Sequence, residues 1–228
     1  MRLSGENSVV IERRYRGPES SANGGYAAGL LASHFDGAAE VTLRLPPPLE
    51  RPLAIEFREG SVVMLDGEAL VAEAVPALVE LDVPPPVTWD EAAEASGHYL
   101  PFGADTFRGC FSCGQLRADG DGLRILPGRA AAADPVAAPW LAREVSVPVV
   151  WAAIDCSGAY AVSAQGRGET LLGRMAARID RLPDDGDRCI VMGWPLGEDG
   201  RKLYAGTGLW TAEGELLALA RQTWILPK

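Results

Sequence analysis

The chain predicts an α+β fold made of two repeated units, each a helix set against an antiparallel sheet. Three observations carry this expectation. A small-residue stretch, Ser21-Ala22-Asn23-Gly24-Gly25-Tyr26-Ala27-Ala28-Gly29-Leu30-Leu31, has a counterpart in the second half, Cys156-Ser157-Gly158-Ala159-Tyr160-Ala161-Val162. Each stretch is followed by β-type runs, as antiparallel strands with one covered face require. Each unit then closes on a similar hairpin, Leu65-Asp66-Gly67-Glu68-Ala69-Leu70-Val71-Ala72 and Thr211-Ala212-Glu213-Gly214-Glu215-Leu216-Leu217-Ala218. A small helix-plus-sheet unit does not bury its own exposed face. Two copies in one chain should therefore pair as a homodimer would, with function at the seam.

The elements follow in order. Val9-Val10-Ile11 reads as a short strand and Gly17-Pro18-Glu19-Ser20 as a turn. Ser20 or Ser21 is placed to cap a helix over residues 23–34. Residues 39–45 alternate at period two and form a strand, which Pro46-Pro47-Pro48 ends. Strands over 53–58, 61–65 and 70–81 follow, the last two flanking the Asp66-Gly67 turn. Residues 83–109 read as a connector with a helical patch at 89–95, which divides the chain into units 1–82 and 110–228. In the second unit, 122–126 reads as a short strand and 130–139 as an Ala/Pro-rich loop. The β-branched run 145–150 leads into a helix from 151 to about 164, with strands over 175–179, 188–194, 203–210 and 216–226. One helix per multi-stranded sheet implies a sheet wrapped around a helix.

Bulk properties exclude several classes. At 228 residues, 47% hydrophobic and 23% charged, the chain is globular and can bury a core. A net charge of −10 argues against a general nucleic-acid surface, since phosphate contacts need clustered Lys and Arg. No apolar run approaches the roughly 20 residues that span a bilayer, and residues 1–7 lack the apolar core of a signal peptide. A cytoplasmic location with reduced thiols is expected.

The order strand, helix, antiparallel strands and terminal Asp/Glu-Gly hairpin resembles the hotdog fold. Given twice, it is similar to the double-hotdog acyl-CoA thioesterases, over nearly the whole chain outside the connector. Asn23-Gly24-Gly25-Tyr26 looks like the Gly-Gly motif opening the central helix there, residues 151–160 like the segment bearing the family's acid, and 217–225 like the last strand bearing its glutamine. The resemblance implies a tandem hotdog and hydrolysis of an acyl thioester, often acyl-CoA. It assigns an acid, a hydroxyl residue and a glutamine to holding the attacking water. Asp155 falls at the acid position and Gln222 at the glutamine position. The hydroxyl position has no clear match, because the strand reads Leu172-Gly173-Arg174-Met175-Ala176 with Thr170 just before it. A non-catalytic acyl- or aromatic-binding protein of the same fold is the alternative.

The residues themselves leave choices open. Asp155 is the only acid between positions 145 and 164, and either activates water or caps a helix through the N–H of Ser157 or Gly158. Gln222 shares a period-two face with Ala218, Ala220 and Trp224, and its amide can donate to a carbonyl, accept from water or serve a buried network. Asn23, Gly24, Gly25 and Tyr26 are candidate substrate-binding residues, their amides facing a thioester carbonyl; tight helix packing explains the glycines equally well. Gly206-Thr207-Gly208 inside a strand implies a bulge or close approach. Arg174, Arg178 and Arg181 stand at strand spacing to meet phosphates or to form a solvated face. Cys110-Phe111-Ser112-Cys113-Gly114 has no second Cys pair, and Cys156 and Cys189 are isolated in sequence. Since structural zinc wants four ligands, a packed knuckle without metal is expected, and no cofactor is called for. The expected partner is an acyl-CoA or related thioester, with no nucleic acid or membrane, and self-association left open.

Overall fold

The computed structural model describes residues 7–99, 106–130, 135–163 and 169–227. Residues 1–6, where a signal peptide was sought, fall outside these. So do 131–134 of the Ala/Pro-rich stretch and 164, the expected end of the second helix.

The first unit contains β1 (Ser8–Val10), α1 (Gly24–Ala32), β2 (Ala39–Leu43), β3 (Pro52–Arg58), β4 (Ser61–Asp66) and β5 (Ala69–Pro76). Next comes α2 (Trp89–Gly97). The second unit contains β6 (Gly128–Arg129), β7 (Val136–Leu141), α3 (Val147–Ala153), α4 (Cys156–Ser163), β8 (Leu171–Ile179), β9 (Arg188–Asp199), β10 (Lys202–Thr211) and β11 (Leu216–Ile225). The strands form one antiparallel sheet ordered β1-β3-β4-β5-β2-β8-β11-β10-β9-β7-β6. Within it the repeat is explicit. The first five strands run β1-β3-β4-β5-β2, and β7-β9-β10-β11-β8 repeat that connectivity from the opposite edge.

The units join through β2 and β8, in the register Ala39↔Ala177, Glu40↔Ala176, Val41↔Met175 and Thr42↔Arg174. Ala39, Val41, Met175 and Ala177 are all buried in the core that the central helices share. Glu40 and Thr42 alternate with them, and Arg174 donates to Thr42 Oγ1 at 3.0 Å and pairs with Glu40 at 3.4 Å. Arg178 and Arg181 pair with Asp180 and Glu215. Arg174 and Arg178 lie in β8 and Arg181 just after it, and each is paired with a carboxylate.

α1 carries three glycines in nine residues, each costing a helix about 1 kcal/mol relative to Ala. Burial decides the matter. A Cβ on Gly25 would lie 2.6 Å from the Trp151 carbonyl oxygen and 2.6 Å from Asp155 Cβ, and one on Gly29 would lie 2.6 Å from Pro148 Cα. The glycines let α1 and α3 cross in direct contact, so the two central helices pack backbone to backbone.

Several local expectations are corrected. The cap of α1 is Asn23, whose side chain accepts from Tyr26 N–H, in place of Ser20 or Ser21. Residues 122–126 form no strand: Leu123 and Ile125 donate to Phe111 and Ser112 carbonyls, and Arg124 takes φ +51°, which interrupts an extended ladder. β7 forms inside the stretch read as a loop, and Pro139 is tolerated within it. The run 145–150 is largely helical, because Pro148 sits in the first turn of α3, where a missing N–H costs nothing. The second helix is broken at Ile154–Asp155. Gly206 and Gly208 do mark close approach, with Cβ positions 2.3 Å and 2.5 Å from the Trp194 and Trp210 rings.

The helix within the connector has a packing role. Thr88 and Glu91 complete a capping box at its start. Ala92 and Ala95 then pack on Ala137, Ile190, Met192, Trp194 and Trp210, a cluster distinct from the one around α1 and α3.

Gly29→Ala should destabilise the protein by about 1–3 kcal/mol, the usual range for overpacking. Gly97→Ala, with open space around it, should be neutral or slightly stabilising. Urea denaturation compares the two, and equal effects would refute the contact between α1 and α3 as the limiting fit.

Candidate functional site

The break between α3 and α4 places Asp155 directly against the start of α1. Its Oδ2 accepts from Asn23 Nδ2 at 2.8 Å and from the Gly25 backbone N–H at 3.0 Å. Asn23 serves both sides, since its Oδ1 accepts from Tyr26 N–H at 2.8 Å. The carboxylate thus caps the helix of the other unit, across more than a hundred residues, and lies at the positive end of the α1 dipole. Of the two readings of Asp155, the local cap on Ser157 or Gly158 is not what forms. Asp155 is 2% exposed, and its Oδ1 has no hydrogen-bond partner among the described residues. Burial pushes its carboxyl up to about 7, against the opposing pull of the Gly25 and Asn23 donors.

A cavity of about 490 Å³ opens at this point, within the range of small-molecule sites. Both units build it. Asn23 and Gly24 at the start of α1, Asp155, and the side of α4 at Ala159 meet apolar walls from Leu43, Phe107, Leu171 and Ile225. Thr170 also lines it, fully buried, with its hydroxyl 3.3 Å from Ser163 Oγ. Ser20, Ser21 and Thr106 line the cavity as well, so Thr170 is one of several hydroxyl residues on its wall.

Gly25 and Tyr26 do not line the cavity among the described residues. The Gly25 N–H is committed to Asp155 and that of Tyr26 to Asn23. The Tyr26 ring stacks on Tyr15, centroids 3.9 Å apart, with Phe111 edge-on to both. Of the four residues expected at a substrate carbonyl, Asn23 and Gly24 line the cavity, but the Asn23 N–H donates to the Tyr15 carbonyl at 2.8 Å.

Gln222 lies behind Asp155 and outside the cavity wall. Its Nε2 donates to the carbonyls of Ile154 (2.8 Å) and Asp155 (3.1 Å) and to Thr207 Oγ1 (3.2 Å), while its Oε1 accepts from Trp224 Nε1 at 2.8 Å. The amide holds both carbonyls at the helix break, of which that of Asp155 also accepts from Gly158 N–H at 3.2 Å. A Cβ on Gly158 would fall 1.7 Å from Gln222 Oε1, so this glycine makes room for the amide.

The same region gathers three cysteines. Cys110, Cys113 and Cys156 are fully or nearly buried, with sulfurs all within 4.8 Å of one another and Cys110 and Cys156 at 3.8 Å. Asn23 Nδ2 lies 3.7 Å from Cys110 Sγ and 3.9 Å from Cys156 Sγ. Hydrogen bonds from the other two thiols, Cys113 foremost, hold the Cys110 thiol well below its usual range, and the same bonds raise its two donors. The isolation of Cys156, on which the expectation of a metal-free pair rested, holds in sequence only. Its one sequence clue is adjacency to Asp155. Cys189 stays apart, in β9.

No family model and no curated protein matches the sequence. Solved structures do match its fold. A proposed thioesterase from Novosphingobium aromaticivorans is 13% identical with a TM-score of 0.66, covering 100% of this chain and 98% of its own. A protein of unknown function with a hot dog fold from Alicyclobacillus acidocaldarius is 13% identical with a TM-score of 0.64, covering 100% and 95%. The acyl-CoA thioesterase II TesB2 from Mycobacterium marinum is 12% identical with a TM-score of 0.60, also covering 100% and 95%. The chain has a tandem hotdog fold.

Gln222→Leu should keep volume while leaving the Ile154 carbonyl and the Trp224 indole N–H without their partner, and the Asp155 carbonyl with Gly158 N–H alone. At 0% exposure the expected loss is about 2–5 kcal/mol. Urea denaturation measures it, and a loss under about 0.5 kcal/mol would remove Gln222 from the support of the Asp155 loop.

Proposed function

We infer that the protein hydrolyses an acyl thioester, acyl-CoA being the expected substrate, with Asp155 acting on the attacking water. One observation carries this reading: a buried carboxylate at a cavity wall has one oxygen fixed by two donors and the other unpartnered. The free oxygen is the atom that takes the water proton. The resulting hydroxide adds to the thioester carbonyl, and the tetrahedral intermediate expels the thiolate. Asn23 and the Gly25 N–H keep the carboxylate from turning away. Gly24, in the first turn of α1 on the wall, brings the helix's positive end toward the developing oxyanion. The apolar side formed by Leu43, Phe107, Leu171 and Ile225 accommodates the acyl group. Thr170, one of the hydroxyl residues on the wall with Ser20, Ser21 and Thr106, is placed to orient water. Gln222 acts as a positioning residue, through the backbone on either side of the helix break.

A second reading, a non-catalytic binder of acyl or aromatic ligands, is favoured by that same glutamine. Its amide is committed to internal partners and has nothing to offer a water in the cavity.

A panel of acyl-CoA substrates with free-thiol detection separates the two. Asp155→Asn preserves shape and both donor contacts but removes the base, so turnover should fall by about 10²–10⁴-fold. Turnover at the wild-type rate in Asp155→Asn would leave Asp155 as a cap only. Saturable acyl-CoA binding without thiol release in the wild type would establish the binder instead.

A further inference from the structure

We propose that Cys110, Cys113 and Cys156 form a binding site for one zinc ion, with three thiolate ligands and a fourth position facing the cavity. The site is independent of whether thioesters are hydrolysed.

The sulfur positions fit the ion. Zinc–sulfur bonds of about 2.3 Å in tetrahedral geometry set sulfurs about 3.8 Å apart. Cys110 and Cys156 stand at 3.8 Å and no pair exceeds 4.8 Å, so a shift of about 1 Å or less closes the set. Two distant segments supply the ligands, the loop before residue 122 and the start of α4, which gives a ligand set that folding assembles.

The surroundings are built for thiolates. Cys110-Phe111-Ser112-Cys113-Gly114 turns tightly, with Gly114 N–H donating to the Cys110 carbonyl at 2.9 Å. A Cβ on Gly114 would sit 2.3 Å from that carbonyl oxygen, so the turn admits only glycine. The backbone N–H groups of Ser112 and Cys113 help to pull the Cys110 thiol down. With Asn23 Nδ2 near two of the sulfurs, these are the outer donors that steady metal-bound thiolates. An all-sulfur ligand set selects a thiophilic ion. All three cysteines line the cavity, so the fourth ligand comes from there, a water or a ligand thiol. Binding releases the thiol protons.

The full-length protein, reduced, stripped with a chelator and kept anaerobic, is titrated with Zn²⁺ against a chromophoric competitor. One equivalent should bind. Substituted Co²⁺ should show thiolate charge-transfer bands and the visible spectrum of a tetrahedral site. Cys113→Ser and Cys156→Ser should each lose stoichiometric binding, whereas Cys189→Ser should keep it, with circular dichroism checking the fold of each. If a cysteine variant fails to fold, the wild-type cobalt spectrum decides alone: thiolate bands support the site and their absence overturns it. Failure of reduced wild type to take up zinc, uptake of Cu⁺ only, or one retained equivalent in Cys156→Ser would each overturn the proposal.

Discussion

The close crossing of α1 and α3 at Gly25 and Gly29 is the constraint on which the site depends. At Gly29 the backbone of α3 comes within the space a methyl group would need. At Gly25 the obstacle is Asp155 itself. A larger side chain at either position would separate the central helices, widen the gap between the units and lift the carboxylate from the α1 amides. The short β2–β8 seam and the bonds of the Arg14–Arg16 segment to Phe111 and Arg117 would then have to hold the halves together. Interiors pack too densely to absorb such a shift without cost.

This crossing makes the burial of an acid tolerable. An isolated carboxylate in an apolar interior costs several kcal/mol. Here a side-chain amide, a backbone N–H and the positive end of a helix offset part of that cost, and burial still raises the carboxyl to about 7. Asn23 ties the arrangement together, because one side chain caps α1, holds Asp155 and approaches two of the cysteine sulfurs. The helix start, the acid and the thiol cluster therefore behave as one buried polar network. The loss of any member leaves the others undersatisfied.

The two units share the same connectivity but differ in what they supply to the site. The first supplies a helix start with small residues, whose Asn23 side chain and Gly25 N–H hold the acid. The second supplies the broken helix, the acid and a glutamine that holds the backbone at the break. The strands of the second unit also have α2 packed on their other face, over Trp194 and Trp210, with Gly128 pressed against the Ala95 carbonyl. That cover anchors the chain between the units, which continues into the cysteine-bearing loop beside the cavity. Neither unit could assemble the site alone, which is the physical advantage of fusing the pair.

The sequence by itself determined the repeat, the strands with clear alternation and the glycine turns of the hairpins. The reason is that periodicity and turn chemistry are local. Gly67 and Gly214 both take positive φ, as their turns demand. It also singled out Asp155, as an acid in an apolar stretch, and the glycines of α1 as a close approach. The tertiary structure decided what those residues touch. Nothing near Asp155 in the chain indicates that its partners are Asn23 and Gly25, or that Cys156 meets Cys110. Gln222 reads as a residue that could face water, and only packing turns its amide to the carbonyls of a broken helix. Local propensity set the elements, but contacts between residues 40 to 130 positions apart depend on how the sheet closes around two helices.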